Sequence, residues 1–237
     1  FKHKTAYAML RSLVGSEMCI RDRYRSGEPI SPYAPLWDFT FGYIPLPINC
    51  DALSKTCLEK EREIKKLPYS TIEGTYKFTD GYTGLGKGST TVRFQSYNVL
   101  KWNTLETNIL KKHIKVQVGE YNKYLGNPNP PRLYVQCWVN ILRWGQKIST
   151  HLHSIHPSAY LSGHFNVQSQ GTSTCYMNPV NQLNDPEIFE ENNRPGLLTI
   201  FPSYLPHYTT THYAFNPRIT IAMDIALESP SPNWVEL

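Results

Sequence analysis

The second half of the chain alternates apolar and polar residues with the period of two that is typical of β-strands. The clearest segment is LYVQCWVNILRW, which begins at residue 133, and four shorter segments follow it with turn residues between them. These shorter segments read YLSGHFNVQ, TSTCYMN, GLLTIFPSYLPH and RITIAMDIAL. Because no helical pattern separates them, the sequence predicts short antiparallel strands in a row, as in a sandwich, a jelly roll or a barrel.

Two segments of the first half have the period of a helix instead. DALSKTCLEKEREIKKL (51–67) predicts a helix with a charged face, which we interpret as solvated surface. NTLETNILKKHIKVQVGEYNKYLG, from residue 103, predicts a longer helix. We expect Asn103 and Glu106 to cap its start and Gly126 to end it. The predicted fold class is therefore mainly β, with helices in the N-terminal half.

The first 23 residues have neither period. RSLVGSEMCIRDR (11–23) resembles translated sequencing-adapter read-through; a signal peptide is the alternative, although Arg11 interrupts its apolar stretch. We therefore expect a non-native or disordered leader at 1–23, followed by a single domain at 24–237. Within that domain we expect a helical and extended part at 24–131 and a β core at 132–227.

Net charge and cysteine content limit which binding partners and which cellular compartment the sequence supports. The formal charge is +5, but residues 1–23 hold five basic and two acidic side chains, so the remainder carries only +2. This balance gives no strong signal for nucleic-acid binding. No apolar run is long enough to span a membrane. Beyond the leader, four cysteines match no zinc or disulfide pattern, so we expect a reducing cytoplasm. These are Cys50, Cys57, Cys137 and Cys175.

Candidate chemistry is concentrated in HLHSIHPSAYLSGH (151–164), which holds four of the eight histidines. On a strand, residues two apart point to the same face, so His151 and His153 form a candidate pair of metal ligands. A pair of surface histidines is the alternative interpretation. Further along the chain, His207 ends a strand-and-turn segment and could complete such a site.

The last predicted strand carries a candidate anion site. Arg218, Thr220, Ala222 and Asp224 share one of its faces, while isoleucines and a methionine share the other. The second face is plainly core. An arginine and a threonine that face a cavity suit a carboxylate, because arginine offers a bidentate fork and threonine a further hydrogen bond.

These motifs together resemble the 2-oxoglutarate- and Fe(II)-dependent oxygenases, above all a group common in phage and marine bacterial genomes. The resemblance implies that the cytoplasm is that of a bacterial or phage-infected cell. The resemblance covers residues 132 to 227 and rests on the HxH pair, YLSGHFNV, GLLTIFPSYLPH and PRITIAMDI. It implies a double-stranded β-helix, with His151, His153 and His207 as Fe(II) ligands. It also implies that Arg218 and Thr220 hold the distal carboxylate of 2-oxoglutarate. The implied reaction uses O2, releases succinate and CO2, and most often hydroxylates a C–H bond.

The chain departs from that family in one respect. The usual ligand triad has two histidines and a carboxylate, whereas His153 stands at the position of the carboxylate. His156 is a competing second ligand, because under a shifted alignment His153 and His156 would form the pair; alternatively, it orients a ligand. Its step to Pro157 favours extended backbone. We interpret His164 and His212 as cavity-wall or surface residues.

Two other classes of protein remain open from the sequence. A three-histidine cupin that does not use 2-oxoglutarate matches Gly145 with the HxH pair, but lacks the glutamate expected after it and has Tyr204 in place of a glycine. A cupin does not require Arg218, which therefore discriminates between the two. The other class is a non-catalytic jelly-roll binding module. A small molecule, a peptide and a nucleobase all remain open as substrate, and the sequence indicates no oligomeric state.

Overall fold

The computed structural model describes residues 19–28, 31–66, 85, 91, 97–127, 132–153, 157–180 and 187–237. These residues form ten strands, two α-helices and a short 3-10 helix at Val99–Lys101. The α-helices are α1 (Cys50–Lys66) and α2 (Leu105–Tyr124). The strands are β1 (Cys19–Arg25), β2 (Asp38–Pro45), β3 (Tyr134–Leu142), β4 (Ala159–Gln168), β5 (Ser173–Met177), β6 (Ile188–Asn192), β7 (Leu197–Pro202), β8 (His207–Thr209), β9 (Arg218–Ala226) and β10 (Val235–Glu236).

The strands form two sheets. The larger sheet has the order β1-β2-β7-β4-β9-β3-β10, and the smaller has the order β6-β5-β8. Every strand pair in the described residues is antiparallel, as the sequence predicted. Apart from the pairs β1–β2 and β5–β6, neighbouring strands are not consecutive in the chain, so the chain crosses between positions, as it does in a jelly roll.

The central strand β9 explains where the core and the cavity lie. Ile219, Ile221, Met223 and Ile225 are all at most 1% exposed and belong to the main hydrophobic cluster with residues of α1 and α2. The alternate residues of β9 point away from the helices. The predicted division of this strand into a core face and a cavity face is therefore correct, and the helices cover the outer face of the large sheet.

The start of α2 differs from the prediction by one residue. Thr104, not Asn103, caps the helix: its hydroxyl accepts from the N–H of Thr107, and the Thr107 hydroxyl accepts from the N–H of Thr104. Asn103 has a φ of 57°, a left-handed conformation that asparagine tolerates better than most residues. It therefore forms the turn that precedes the cap. At the other end, Gly126 has a φ of 68°, as expected of a helix stop.

Helix α1 matches its predicted span within one residue at each end. Its charged face is not uniformly solvated, because Glu61 is only 4% exposed. The Glu61 carboxylate accepts two hydrogen bonds from Arg143, at 2.6 and 2.9 Å, and pairs with Lys65. This ion pair ties α1 to the end of β3.

An aromatic cluster joins the N-terminal strands to the barrel. Phe41 of β2 is fully buried, stacks against Phe189 and contacts the tilted ring of Tyr176. Tyr24 of β1 lies in the same cluster and is 3% exposed. The leader boundary expected after residue 23 thus falls inside β1, because the pairing of β1 with β2 begins at Cys19. Residues 1–18 lie outside the described part of the chain.

The four cysteines that follow the leader are free thiols. In the part of the chain that the structure describes, no helix has the length and apolar character needed to cross a membrane.

Candidate functional site

Backbone hydrogen bonds bring the three candidate histidines together. The His151 N–H donates to the His207 carbonyl at 3.0 Å, and the His207 N–H donates to the His151 carbonyl at 2.9 Å. The His153 N–H donates to the Ser203 carbonyl at 3.0 Å. The segment before β4 is therefore paired with the stretch from Ser203 to His207, which leads from the end of β7 into β8. One ring nitrogen of each histidine lies within 4.8 Å of those of the other two.

Each imidazole has its Nδ1 atom engaged. His151 Nδ1 lies 2.8 Å from the Ser149 carbonyl, His207 Nδ1 lies 2.9 Å from the Leu205 carbonyl, and His153 Nδ1 lies 2.7 Å from Oδ1 of Asp224. Carbonyl and carboxylate oxygens only accept, so each Nδ1 carries the proton and donates it. The Nε2 lone pair is therefore free on all three rings, as a metal ligand requires.

The surroundings keep two of these rings neutral. Burial, helped by the neighbouring His153, lowers the pKa of His151 to about 4. Burial and the two other histidines place the pKa of His207 well below its ordinary value. Because an imidazole binds metal only in its neutral form, these pKa values keep both rings competent at neutral pH.

Arg218 occupies the same cavity, and two of its three guanidinium nitrogens have no hydrogen-bond partner among the described residues. It is 2% exposed, and its Nε and Nη1 atoms are buried without a hydrogen bond. The hydroxyl of Thr220, the next residue on that face of β9, is also buried and unpaired, as is Oδ1 of Asn140. Asn140 faces Thr220 across the β3–β9 pair. Burial lowers the pKa of Arg218 to about 10, so it stays charged at neutral pH.

A cavity of about 190 Å³ connects the two groups of residues, because the three histidines, Arg218 and Thr220 all line it. Buried donors without partners are rare in native proteins, since each costs about 1–3 kcal/mol. An anionic ligand would satisfy those of Arg218 and Thr220. Three bare imidazole nitrogens suit a divalent transition metal. The residues present thus fit both a metal ion and a carboxylate co-substrate.

Sequence reasoning missed a buried polar network beside this cavity. Tyr176, fully buried, donates to Oε2 of Glu191 at 3.0 Å and lies 3.0 Å from Nε2 of His164. Thr199 donates to the other carboxylate oxygen of Glu191 at 2.6 Å. The spacing of Phe189 and Glu191 on β6 was the available signal, because residues two apart share a face. The negative charge of Glu191 raises the pKa of Arg218 against the effect of burial.

The remaining histidines have different outcomes. His164 lines the cavity, in agreement with its interpretation as a wall residue. His212 is fully buried, and its Nε2 lies 2.7 Å from the Asn216 carbonyl, so it is structural and not at the surface. His156, the competing ligand, lies outside the described residues.

A second cavity, of about 300 Å³, lies beside the first. His153 and Trp138 line both. Arg218 and Thr220 line the first, and Asp224, on the same face of β9, lines the second. Trp234 and the hydroxyls of Ser162 and Ser203 also face it. The two cavities therefore follow one another along β9, with His153 at their junction.

Comparison with known proteins agrees with this architecture. The model of a family described as "Putative 2OG-Fe(II) oxygenase" matches residues 136–224. A prolyl-4-hydroxylase from Pseudomonas putida is 13% identical with a TM-score of 0.50, over 80% of this chain and 88% of that one. A Trichoplax adhaerens prolyl hydroxylase, solved with a hypoxia inducible factor peptide fragment, is 14% identical with a TM-score of 0.50, over 78% and 83%. A search of curated protein sequences gave no match.

The structural likeness, at these identities, concerns the fold. It confirms the double-stranded β-helix that the sequence resemblance implied. The family match covers most of the segment from β3 to β9, which provides most of the residues that line the two cavities. This segment is thus similar to 2OG-Fe(II) oxygenases, which are enzymes that use Fe(II) and 2-oxoglutarate.

Proposed function

Starting from this family match, we propose that this protein hydroxylates a C–H bond, with His151, His153 and His207 as its iron ligands. Arg218 and Thr220 bind the distal carboxylate of 2-oxoglutarate. One observation supports the proposal most: three bare imidazole nitrogens and the unpaired donors of a buried arginine line the same cavity of about 190 Å³. When 2-oxoglutarate chelates a metal with one end, the metal needs the imidazole nitrogens and the carboxylate at the other end needs the arginine.

Bound Fe(II), together with 2-oxoglutarate and O2, would supply the oxidation itself, with release of succinate and CO2. The chain supplies placement and shielding. Arg218 offers Nε–H and Nη1–H to a carboxylate, and Thr220 offers its hydroxyl, at a depth from which water is excluded. The Nδ1 hydrogen bonds hold the three imidazole planes so that Nε2 faces the cavity.

The substrate enters the second cavity, which lies on the other side of His153. Its volume of about 300 Å³ suits a small molecule or one side chain of a peptide. The indole rings of Trp138 and Trp234 offer flat apolar walls, and a nucleobase or an aromatic or cyclic group would pack against them. A solved relative in complex with a peptide fragment makes a peptide substrate reasonable.

An anaerobic titration of the full chain tests the function. Fe(II) is added first and 2-oxoglutarate second, and the weak visible charge-transfer band of the chelate is followed. We expect a band that requires both additions. It should vanish in His207→Ala, which lacks a ligand, and need at least 100-fold more 2-oxoglutarate in Arg218→Ala. His113→Ala, on α2 and away from both cavities, is the matched control and should behave as wild type.

The same titration separates the alternatives. Metal binding without a band at any concentration of 2-oxoglutarate would favour the three-histidine cupin. In favour of a cupin, Gly145 has a positive φ of 77°, as expected of a turn before the HxH pair. Against it, the chemistry of a cupin gives no role to the buried Arg218. Failure to bind any divalent metal would favour the non-catalytic binding module.

A further inference from the structure

The three candidate ligands carry no negative charge of their own. The usual triad of this enzyme class contains one carboxylate, which offsets part of the charge of Fe(II). Here a histidine, His153, stands at its position. Among the described residues, the carboxylate in hydrogen-bond contact with one of the three imidazoles is that of Asp224.

Asp224 is held where it meets His153. Its Oδ1 lies 2.7 Å from Nδ1 of His153 and accepts a hydrogen bond of 3.1 Å from the hydroxyl of Ser162. Strands on both sides of β9 fix the position, because Asp224 pairs with Ser162 of β4 and with Gln136 of β3. The carboxylate is therefore part of the rigid sheet and not of a loop.

The other two histidines differ from His153 in their partners. His151 and His207 donate to the carbonyls of Ser149 and Leu205, which carry no net charge. A carboxylate that accepts the Nδ1 proton makes the opposite nitrogen a stronger electron donor than a carbonyl does. The only formal charge that reaches the metal through these three hydrogen bonds thus comes through His153, at the position where the usual triad has its carboxylate.

We propose that Asp224 is a positioning residue that supplies, through His153, the negative charge that the three-histidine site lacks. The inference rests on the metal site of the proposed function but not on the binding of 2-oxoglutarate. In the usual triad the carboxylate contacts the metal directly. Here, by this inference, the carboxylate of Asp224 contacts a metal ligand, His153, instead.

Metal affinity alone tests this inference. Co(II) is titrated into the metal-free full chain, and the dissociation constant is read from its visible absorption. Asp224→Asn keeps the size and an oxygen for the Nδ1 hydrogen bond but removes the charge, and we expect it to weaken Co(II) binding about 10- to 100-fold. Glu228→Gln, which also removes one negative charge just beyond the end of β9 at an exposed position, should bind Co(II) as wild type does.

Introducing Asp224→Asn into a His153→Asp variant tests whether Asp224 acts through its charge or only supports the fold. That background has a carboxylate at the ligand position, close to the carboxylate of Asp224. Removing the charge of Asp224 should therefore leave Co(II) affinity unchanged or increase it, which reverses the sign seen with His153. A residue that merely supports the fold would weaken binding in both backgrounds.

Three results would overturn the inference. They are equal affinity in wild type and Asp224→Asn, an equal loss in Glu228→Gln, and an equal loss in the His153→Asp background. If wild type binds no Co(II) in a manner that depends on His207, the proposed function fails together with this inference. If Co(II) binds as expected but 2-oxoglutarate does not add to the complex, only the proposed oxygenase chemistry fails.

Discussion

Replacing Arg218 by methionine should stabilise the ligand-free protein while it removes co-substrate binding. The side chain is 2% exposed, and two of its guanidinium nitrogens have no partner. Methionine has a similar volume and no polar group to leave unsatisfied. The substitution therefore relieves a cost that, by our proposal, exists only because the arginine must bind a carboxylate.

The structure sets the magnitude. Burial lowers the pKa of Arg218 from its ordinary value to about 10, and at 1.36 kcal/mol per pH unit this is roughly 3 kcal/mol against the charged form. Two unsatisfied donors at about 1–3 kcal/mol each give a similar figure. Methionine also loses the attraction of Glu191, which opposes part of the effect of burial. We therefore expect Arg218→Met to raise the free energy of unfolding by about 1–2 kcal/mol.

Urea denaturation followed by circular dichroism, with and without Co(II) and 2-oxoglutarate, is the assay. At 100 times its dissociation constant, 2-oxoglutarate should stabilise wild type by about 2.7 kcal/mol beyond the metal alone, and it should not stabilise Arg218→Met. The order of stability should thus invert when ligand is added. Arg218→Lys, which keeps a buried charge without the fork, should be no more stable than wild type. A ligand-free Arg218→Met that is less stable by over about 1 kcal/mol, or one that 2-oxoglutarate still stabilises, would refute the reasoning.

Two further predictions concern packing and pH. A Cβ on Gly163 would lie 2.4 Å from the Thr199 carbonyl oxygen of the neighbouring strand, so Gly163→Ala should lower the free energy of unfolding by at least about 2 kcal/mol. Gly119→Ala, in open space on α2, should instead raise it by about 0.5–1 kcal/mol. Equal effects of the two substitutions on the urea midpoint would contradict this prediction. The pKa of His151 is about 4 in the folded protein and near 6.5 in the unfolded chain, so between these pH values only the unfolded chain binds the extra proton. The free energy of unfolding of the metal-free protein should therefore fall by up to about 3 kcal/mol as the pH falls from 6.5 to 4. Urea curves with no slope in stability across that window would contradict the assignment of a buried, neutral His151.

Periodic features were predictable from the sequence, and features set by pairing were not. The alternation along β9 gave its core face and its cavity face correctly, because the period of two is a local property. The cap of α2 was misplaced by one residue, because Thr104 and Thr107 form the cap and not Asn103 and Glu106. Asn103 has a left-handed backbone conformation, which the capping pattern in the sequence does not indicate.

In the candidate site, too, some residues were predictable from the sequence and others were not. The sequence selected His151, His153, His207 and Arg218, and all four line one cavity. Their roles as metal ligands and co-substrate clamp stay predictions. The contact of Asp224 with His153 was not predictable, because it depends on the register of β4 with β9 and on the path of the chain before β4. The burial of Glu191, next to the exposed Glu190, depends likewise on the pairing of β6 with β5.

The reciprocal hydrogen bonds between His151 and His207 have a consequence for how the metal is exchanged. In many small metal proteins the ion itself closes the loop between distant ligands, so removing it unfolds the chain. Here two backbone hydrogen bonds already join the segments of His151 and His207, so this connection does not depend on their side chains. If the histidines hold a metal as proposed, metal loading would not be required for folding, and one ion could be exchanged for another in a protein that keeps its shape. The identity of the bound ion would then follow metal supply in the cell and not the order of synthesis and folding.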